Sequence, residues 1–413
     1  MQRRQWISGV FVLLIGLPAT SVATGQVAAS ATPAPIKIAL VTSLTGPAAT
    51  EFSSDPSGLL ARIDMQNAEG GVNGHKLEPI VIDDQTSPSA VATAVQEAIS
   101  KGAIGIVSAS ALFFLADKYP QEAGVPVTGS YSDGQEWGEH PYTNMFASDA
   151  GSLNPTLPVN TLEGTLLKMF GGSVAGIYGY SISPSSTREA NAVGQSFTHA
   201  GGKVPILNTT LPFGDVNFSE VALVAKQNHV NAIYPTMEAS SNFALATALE
   251  QAGIHLKSAI YSVGYDPSVV NSPVWPEVQG GYFLSIYRPF SLPNSGTEKM
   301  AAALQKYQGY SKNQFPTLFQ YETWAGADLL IKGLQMAGRN PTRAGVVRAL
   351  RSIKSYDANG LLPNPVNYAT IFGRDLPKTC VWVLRAQKSG FVPVSSQPVC
   401  GTDIPGTSTA GTS

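Results

Sequence analysis

Short apolar runs alternate with longer amphipathic stretches along residues 36–263, and Gly, Pro or polar residues separate them. The short runs predict strands, and the longer stretches predict helices. The predicted strands cover residues 36–42, 77–82, 104–107, 125–128, 173–178, 204–211, 232–234 and 259–263. The predicted helices cover residues 54–68, 87–100, 111–124, 187–200, 219–228 and 241–252. This alternation predicts an α/β protein with parallel sheets and helices on both faces.

The alternation starts again after about residue 150, and a chain of 413 residues is long enough for two or three domains. In open parallel sheets, ligands bind outside the carboxyl ends of the strands. The residues that directly follow each predicted strand are therefore the candidates for a binding site.

The C-terminal region predicts a β-hairpin that a disulfide could close. Two apolar runs, at residues 381–384 and 391–394, flank a turn that contains glycine. Cys380 and Cys400 stand near the two ends of this hairpin, so we predict that they pair; two separate buried thiols are the alternative. The segment 401–413 is rich in Gly, Thr and Ser, which predicts a disordered tail.

Residues 1–31 are typical of a secretory signal peptide. Arg3 and Arg4 precede an apolar stretch at residues 6–19, which is shorter than the roughly 20 residues that span a membrane. A short amphipathic tail is the alternative, and the arginine pair leaves open whether export is general secretory or twin-arginine. No cysteine follows the stretch, so no lipid anchor is expected. The mature protein is therefore predicted to be soluble and extracytoplasmic, in a periplasm or its equivalent.

Charge and composition exclude several classes of partner. Lys and Arg number 26 and Asp and Glu number 28, which gives a formal net charge of −2. Such a chain offers no basic stripe for a nucleic acid. Hydrophobic residues make up 43%, as in a globular protein, and two cysteines are too few for a Cys₄ zinc site.

The sequence contains none of the common catalytic or cofactor motifs. It has no Gly-x-Ser-x-Gly, no His-Glu-x-x-His, no P-loop and no Gly-x-Gly, and its five histidines are scattered. We therefore predict a protein that is not an enzyme and needs no cofactor or metal. Asp83 and Asp84 could suggest a metal. The alternative is that Asp84 and Thr86 cap the following helix or brace the turn before it.

Five segments resemble, in order, the branched-chain amino acid (leucine-binding) type of periplasmic solute-binding protein of ABC transporters. They are residues 36–47 (IKIALVTSLTGP), 67–77 (NAEGGVNGHKL), 83–86 (DDQT), 121–127 (QEAGVPV) and 249–254 (LEQAGI). The resemblance spans about residues 36–395. It implies a type I periplasmic binding fold, in which two doubly wound parallel-sheet lobes are joined by three hinge crossings and close on a central cleft.

By this resemblance, lobe 1 covers residues 36–148 plus 287–362, and lobe 2 covers residues 149–286 plus 363–400. The resemblance also implies a monomer that captures a small polar or amphipathic solute, such as an amino acid or a related amine or amide. The protein would hand this solute to the permease subunits of an ABC transporter. A soluble ligand-sensing protein of the same fold is one alternative, and a secreted hydrolase is another.

The resemblance assigns several residues to the ligand site. Ser110 keeps the family's serine after the third strand, which holds the ligand carboxylate through its hydroxyl and backbone N–H. Tyr131 and Asp133 stand in place of the family's Ala-x-Thr segment after the fourth strand. Glu51 aligns with an aromatic residue in the family's first loop, and Glu238 aligns with a tyrosine of the second lobe.

Four more positions complete this predicted site. The family's glutamate after the strand at 259–263 aligns with Gly264, so Tyr265 or Asp266 would replace it after a short shift. Phe319 keeps an aromatic residue of the family. Tyr180, which follows the strand at 173–178, is placed at the edge of the cleft.

The predicted clamp for an amino acid is thus altered. Glu51, Asp133 and Glu238 would place carboxylates around the cleft without an obvious arginine beside them. Because buried unpaired carboxylates are costly, they favour a cationic group on the solute, or a neutral solute with several hydrogen-bond donors. The alternative is that some of them point to solvent from loop edges.

Overall fold

The computed structural model describes residues 1–2, 5–10, 33–129, 137, 143–148, 157–370 and 379–409. The chain divides into two compact units, Met1–Thr32 and Pro33–Ser413. The described residues of the first unit contain no helix or strand, and most of the predicted signal peptide lies outside the described residues, so it stays a prediction. Within the described part of the chain, no helix is both long enough and apolar enough to cross a membrane.

Strands and helices alternate through most of the second unit. The strands are β1 (Ile36–Thr42), β2 (Leu77–Asp83), β3 (Gly105–Ala109), β4 (Val127–Gly129), β5 (Met145–Ala147), β6 (Val159–Asn160), β7 (Val174–Tyr180), β8 (Lys203–Leu211), β9 (Ala232–Thr236), β10 (Ser258–Tyr261), β11 (Tyr282–Ser285), β12 (Cys380–Gln387), β13 (Gly390–Pro393), β14 (Val399–Cys400) and β15 (Asp403–Ile404). The helices are α1 (Ala49–Phe52), α2 (Pro56–Ala68), α3 (Pro88–Ser100), α4 (Lys118–Glu122), α5 (Leu162–Met169), α6 (Pro184–His199), α7 (Ser219–Gln227), α8 (Ala239–Gln251), α9 (Pro267–Val270), α10 (Trp275–Val278), α11 (Ser295–Gln308), α12 (Leu318–Met336) and α13 (Arg343–Arg351). The predicted α/β class is confirmed.

The first sheet has the strand order β2-β1-β3-β4-β5, and all its strands are parallel. In β1, Ile38 pairs with Pro79 of β2 on one side and with Gly105 of β3 on the other. The segment from Ile38 to Val41 is fully buried. A strand covered on both faces reads as a continuous apolar run, which is the pattern that residues 36–42 show.

The second sheet has the order β13-β12-β11-β10-β9-β7-β8. The strands from β8 to β11 run parallel, whereas β12 and β13 form an antiparallel hairpin at the edge beside β11. The first sheet therefore uses strands from residues 36–147, and the second uses strands from residues 174–285 and 380–400.

The predicted disulfide is present in the structure. β14 pairs antiparallel with β12 and sets Cys400 directly opposite Cys380, and their two sulfurs are bonded. The predicted hairpin is also confirmed, because β12 and β13 pair through the turn before Gly390.

The prediction of a disordered tail is wrong over residues 401–409. β15 pairs antiparallel with β6, and the backbone N–H of Thr409 donates to the carbonyl of Leu157 at 3.1 Å. The side chain of Gln195 donates to the carbonyl of Ser408 at 3.1 Å. The composition suggested disorder, but the backbone of this segment pairs with the N–H and C=O groups of β6. Residues 410–413 lie outside the described residues.

The predicted helix over residues 111–124 is also wrong. A short 3₁₀ turn at Phe113–Leu115 and the separate helix α4 replace it. Pro120 gives the physical reason, because a helix that began near residue 111 would place this proline in its interior, where it removes a hydrogen bond. In α4 the same proline lies in the first turn, where no such bond is lost.

Three helices between residues 295 and 351 were not predicted from the apolar pattern: α12 packs on the first sheet, α11 packs on α2, and α13 packs on α12. α12 is buried on nearly every side against β3, β4 and α2, so it shows no clear polar face. A Cβ atom on Gly58 would lie 2.1 Å from the backbone oxygen of Gln320, so α2 and α12 touch through their backbones. The buried ion pair between Arg62 and Asp328, at 2.7 Å, joins the same two helices.

Candidate functional site

A cavity of about 570 Å³ lies between segments that flank the two sheets. Thr50 and Glu51, which follow β1, and Thr317–Phe319, at the start of α12, line it on the side of the first sheet. One face of α8 and the segment Gly264–Asp266, which follows β10, line it on the side of the second sheet. The cavity therefore opens at the carboxyl ends of parallel strands, where ligands bind in such sheets.

Four of the predicted site residues line this cavity together. They are Glu51, Tyr265, Asp266 and Phe319. Glu238 comes immediately before two lining residues, Ala239 and Ser240, but does not line the cavity itself. Ser110 and Tyr180 also lie outside the lining. Tyr131 and Asp133 fall outside the described residues, so their predicted roles stay predictions.

Glu51 is held by the N-terminus of α8. Its side chain is buried, and its carboxylate accepts a hydrogen bond from the backbone N–H of Ala239. A carboxylate is favoured there because the first N–H groups of a helix have no partner within the helix and carry partial positive charge. Phe52, the next residue, packs on Phe319 with ring centroids 4.1 Å apart. The bond to Ala239 joins the segment after β1 to the other wall of the cavity, whereas the contact with Phe319 packs it on its own wall.

Glu238 precedes α8 and is more than nine-tenths buried. Its Oε1 accepts hydrogen bonds from the hydroxyls of Ser240 at 3.1 Å and Ser241 at 2.5 Å, and its Oε2 has no partner among the described residues. Burial raises the pKa of Glu238, and the two serine hydroxyls oppose that rise. Its backbone N–H donates to the hydroxyl of Tyr180 at 3.3 Å. Tyr180 thus supports the turn into α8 from the end of β7.

Asp266 and Tyr265 follow β10. The carboxylate of Asp266 caps α9 by accepting the backbone N–H of Ser268 at 2.7 Å, and burial raises its pKa. Tyr265 stacks on Phe315 at 5.1 Å, and its backbone oxygen accepts the N–H of Leu318 at 3.3 Å.

The structure leaves no room for a side chain at Gly264, the position that the resemblance aligns with a glutamate of the family. Its φ is +98°, and a Cβ atom there would lie 2.7 Å from the ring of Phe243. A residue with a side chain would be strained in this conformation and would collide with that ring.

Ser110 donates its hydroxyl hydrogen to the carboxylate of Asp84 and not into the cavity. Asp84 is fully buried, burial raises its pKa, and its other oxygen accepts the N–H of Thr86 at 2.9 Å. The side chain of Asp83 accepts the hydroxyl of Thr45 at 2.6 Å and the N–H of Gln85 at 2.8 Å. These bonds brace the turn after β2. No group of three metal-ligating side chains occurs in the described part of the chain.

The sequence and the fold agree with one family of proteins. A family model described as "periplasmic binding protein" matches residues 35–390. The chain belongs to this family. A Pseudomonas aeruginosa protein named as a leucine-, isoleucine-, valine-, threonine- and alanine-binding protein is 33% identical over 98 residues. That match covers 23% of this chain and 26% of the relative, so it spans only about a quarter of the relative's length.

Solved structures share the fold of this periplasmic binding protein. A fatty acid ABC transporter substrate-binding protein from Thermomonospora curvata superposes with a TM-score of 0.71 at 18% identity, covering 91% of this chain and 93% of that protein. An ABC transporter solute-binding protein from R. palustris in complex with benzoate gives 0.72 at 15% identity, covering 90% and 99%. At such identities the likeness establishes the type I periplasmic binding fold and nothing finer.

The cavity of this periplasmic binding protein is mainly apolar and contains two carboxyl groups. Glu51 and Asp266 are its only acidic lining residues within the described part of the chain, and Lys, Arg and His are missing from the same lining. Its apolar lining comes from the following residues: Val216, Phe218, Ala239, Phe243, Ala244, Ala248, Val269, Val274, Leu318 and Phe319.

Two further carboxyl groups near Glu51 were not anticipated from the sequence. Asp55 is fully buried and accepts the hydroxyl of Thr42 at 3.2 Å, and Glu322 of α12 is buried as well. Burial first, and then the charges of Glu322, Glu51 and Asp266, hold the pKa of Asp55 well above its usual value. Asp55 directly precedes α2, but its side chain does not cap that helix. No local pattern indicates its contact with a helix that begins more than 260 residues later.

Proposed function

We propose that this periplasmic binding protein captures a small polar or amphipathic solute between two lobes and delivers it to an ABC permease. The observation that carries the proposal is the cavity, whose walls come from segments beside both sheets. A ligand in such a place stabilises the closed arrangement only through contacts with both walls. The lobes are 36–148 plus 287–362 and 149–286 plus 363–400, and they close by hinge rotation.

The names of similar proteins support a small organic solute. The Pseudomonas aeruginosa relative is named for five amino acids, and the two solved structures are named for a fatty acid and for benzoate. These solutes share a modest size and an apolar part, which agrees with an apolar cavity of about 570 Å³.

Export and a purely binding role complete the proposal. Residues 1–31 act as a signal peptide, so the mature protein is soluble and works outside the cytoplasm as a monomer. It performs no chemistry on its solute. A serine nucleophile is activated by a hydrogen bond to a histidine. The hydroxyl of Ser110, the serine of the predicted site, instead donates to the carboxylate of Asp84.

Native mass spectrometry of the mature protein, purified gently from its own host, tests this function. We expect the native mass to exceed the denatured mass by that of one small molecule per monomer. The identified solute should then raise the melting temperature of protein from which it has been removed, since binding to the folded state must do so. A host strain without this gene should take up the solute more slowly.

The opposite results would contradict the proposal. A native mass equal to the denatured mass, together with no stabilisation by any member of a broad solute panel, would remove the binding role. Release of a chemically altered solute would instead favour a hydrolase. Stabilisation by the solute without any effect of the gene on uptake would favour a sensor.

A further inference from the structure

The loop that connects α11 to α12 carries the ring of Phe315 across to the side of the second sheet. This loop, residues 309–317, begins where Gly309, at a φ of +72°, ends α11, and it finishes at Thr317, whose side chain caps α12. Both helices belong to the side of the first sheet, since α11 packs on α2 and α12 packs on β3 and β4. Residues 311–314 are exposed, whereas Phe315 is partly buried. The backbone of the loop is thus fixed at both ends to the side of the first sheet.

Phe315 packs against two aromatic residues on the side of the second sheet. Its ring stacks on Tyr265, which follows β10, with centroids 5.1 Å apart and an angle of 14° between the planes. The ring of Phe391, in β13, meets it at 89° with centroids 6.2 Å apart. Stacked and edge-on ring pairs at such distances attract each other. Phe315 therefore joins the two sides of the molecule.

The partners of Phe315 belong to a larger aromatic cluster. Phe391 contacts the rings of Tyr265, Trp275 and Phe283 at centroid distances of 5.2, 5.0 and 4.9 Å. These three residues are buried, and their contacts with Phe391 do not involve the loop. The ring of Phe315 therefore meets an apolar surface that the side of the second sheet builds by itself.

A hydrogen bond accompanies the ring contact. The backbone N–H of Leu318, the first residue of α12, donates to the backbone oxygen of Tyr265 at 3.3 Å. The first N–H groups of a helix have no partner within that helix, so this amide would face water if the two sides separated. Exchange of its hydrogen with solvent therefore reports whether the two sides are together. Tyr265 and Leu318 line the cavity, whereas Phe315 does not.

We propose that residues 309–317 form a latch that holds the two lobes closed, with the ring of Phe315 as the part that engages lobe 2. This inference rests on the proposed function, because it requires two lobes that separate. The ring contact forms only when the lobes are together, so it stabilises the closed state equally for every solute. The latch therefore slows the release of the solute without contacting it, and Phe315 is a positioning residue.

Hydrogen exchange at the amide of Leu318 tests the latch. It is followed by mass spectrometry with single-residue resolution, in mature protein from which the solute has been removed. We expect this amide to be protected in wild type and to exchange about tenfold faster in Phe315→Ala, since an aromatic pair shifts an equilibrium by about that factor. Phe315→Leu keeps part of the apolar contact and should give an intermediate rate.

Phe170→Ala is the matched control. Phe170 is also partly buried and stacked on a tyrosine, Tyr282, with centroids 3.5 Å apart, but both of these residues belong to lobe 2. Its loss removes an aromatic contact within one lobe and none between the lobes. Exchange at Leu318 should therefore match wild type in this variant, and urea denaturation shows whether both alanine variants are folded.

Three results would overturn the inference. They are an unprotected Leu318 amide in wild type, equal exchange in wild type and Phe315→Ala, and equal acceleration by Phe315→Ala and Phe170→Ala. The proposed function would survive any of them if native mass spectrometry finds a bound solute. An empty protein that nothing in the solute panel stabilises would instead contradict the proposed function itself.

Discussion

The carboxylate of Glu51 accepts a hydrogen bond from the backbone N–H of Ala239, which lies 188 residues further along the chain. Glu51 belongs to α1, next to the first sheet, and Ala239 begins α8, next to the second. The bond therefore joins the two walls of the cavity. It also places a carboxylate at a helix N-terminus, where the helix dipole favours negative charge.

Replacing Glu51 by alanine should make the cleft open more easily. The variant loses a buried charge-assisted hydrogen bond, and such bonds contribute about 1–3 kcal/mol. We expect a larger radius of gyration for the solute-free variant in small-angle X-ray scattering. Glu51→Gln keeps an acceptor without the charge, so it should give an intermediate value. Identical scattering from wild type and Glu51→Ala would show that this bond does not hold the walls together.

Ser110→Ala should lower stability more than it lowers solute affinity. The substitution removes one donor from the fully buried carboxylate of Asp84, which should cost about 1–3 kcal/mol in the free energy of unfolding. Urea denaturation measures this loss, and Ser89→Ala, at an exposed position, is the control. If stability stays the same while solute affinity falls, the role implied by the family resemblance is correct.

Loss of the disulfide should destabilise the fold. The two cysteines are 20 residues apart, and a loop of this size contributes roughly 3 kcal/mol in the chain-entropy account. The double variant Cys380→Ser/Cys400→Ser should therefore unfold at lower urea concentration. Wild type held in reductant should match the variant. A reductant-treated wild type as stable as the oxidised protein would contradict the prediction.

Two glutamates should make the fold less stable as the pH rises from about 4.5 to about 7. Glu163 of α5 and Glu189 of α6 are half-buried, and burial raises the pKa of each to about 7. The folded state thus keeps protons that the unfolded chain releases near pH 4.5, so the free energy of unfolding falls between about pH 4.5 and pH 7 and then levels off.

The variant Glu163→Gln isolates this effect. It should equal wild type in stability near pH 5 and exceed it by about 1 kcal/mol at pH 8, since solvent screens groups that are partly exposed. Urea denaturation at both pH values measures the difference, and Glu298→Gln, at an exposed position of α11, is the control. If wild type and Glu163→Gln differ in their free energy of unfolding by the same amount at both pH values, the raised pKa of Glu163 is refuted.

The sequence predicted well those elements whose pattern is local. The strands β1 and β7 are short continuous apolar runs between turns, and burial on both faces produces that pattern. β2, at the edge of its sheet, is partly exposed, and the turns that bound it made it recognisable. α12 escaped prediction for the opposite reason, because a helix buried nearly all round has no polar stripe to set its period. Thr317 and Gln320 form a capping box at the start of α12. This pair was the sequence signal that could have predicted the helix.

The site was less predictable than the fold because its geometry depends on distant partners. Glu51 and Asp266 could be placed near the cavity because the family resemblance aligns their segments, which come after β1 and β10, with the family's ligand site. The partner of Ser110 could not be foreseen, since Asp84 reaches it from the neighbouring turn after β2. The same holds for Asp55 and Glu322, which come together only when α2 and α12 pack.

The two walls of the cavity differ in their freedom to accept mutations. Thr317–Phe319 form the start of α12, and the rest of this helix is buried against β3 and β4 of the first sheet. Substitutions in this wall therefore disturb the core. The opposite wall includes Ala244, Thr247 and Ala248, which are only partly buried. Ala244 and Ala248 pack on the core only from its edge. Substitutions on this face of α8 therefore change the length and shape of the cavity at a smaller cost in stability than substitutions on the opposite wall. Related proteins that bind different solutes should differ most on this face of α8.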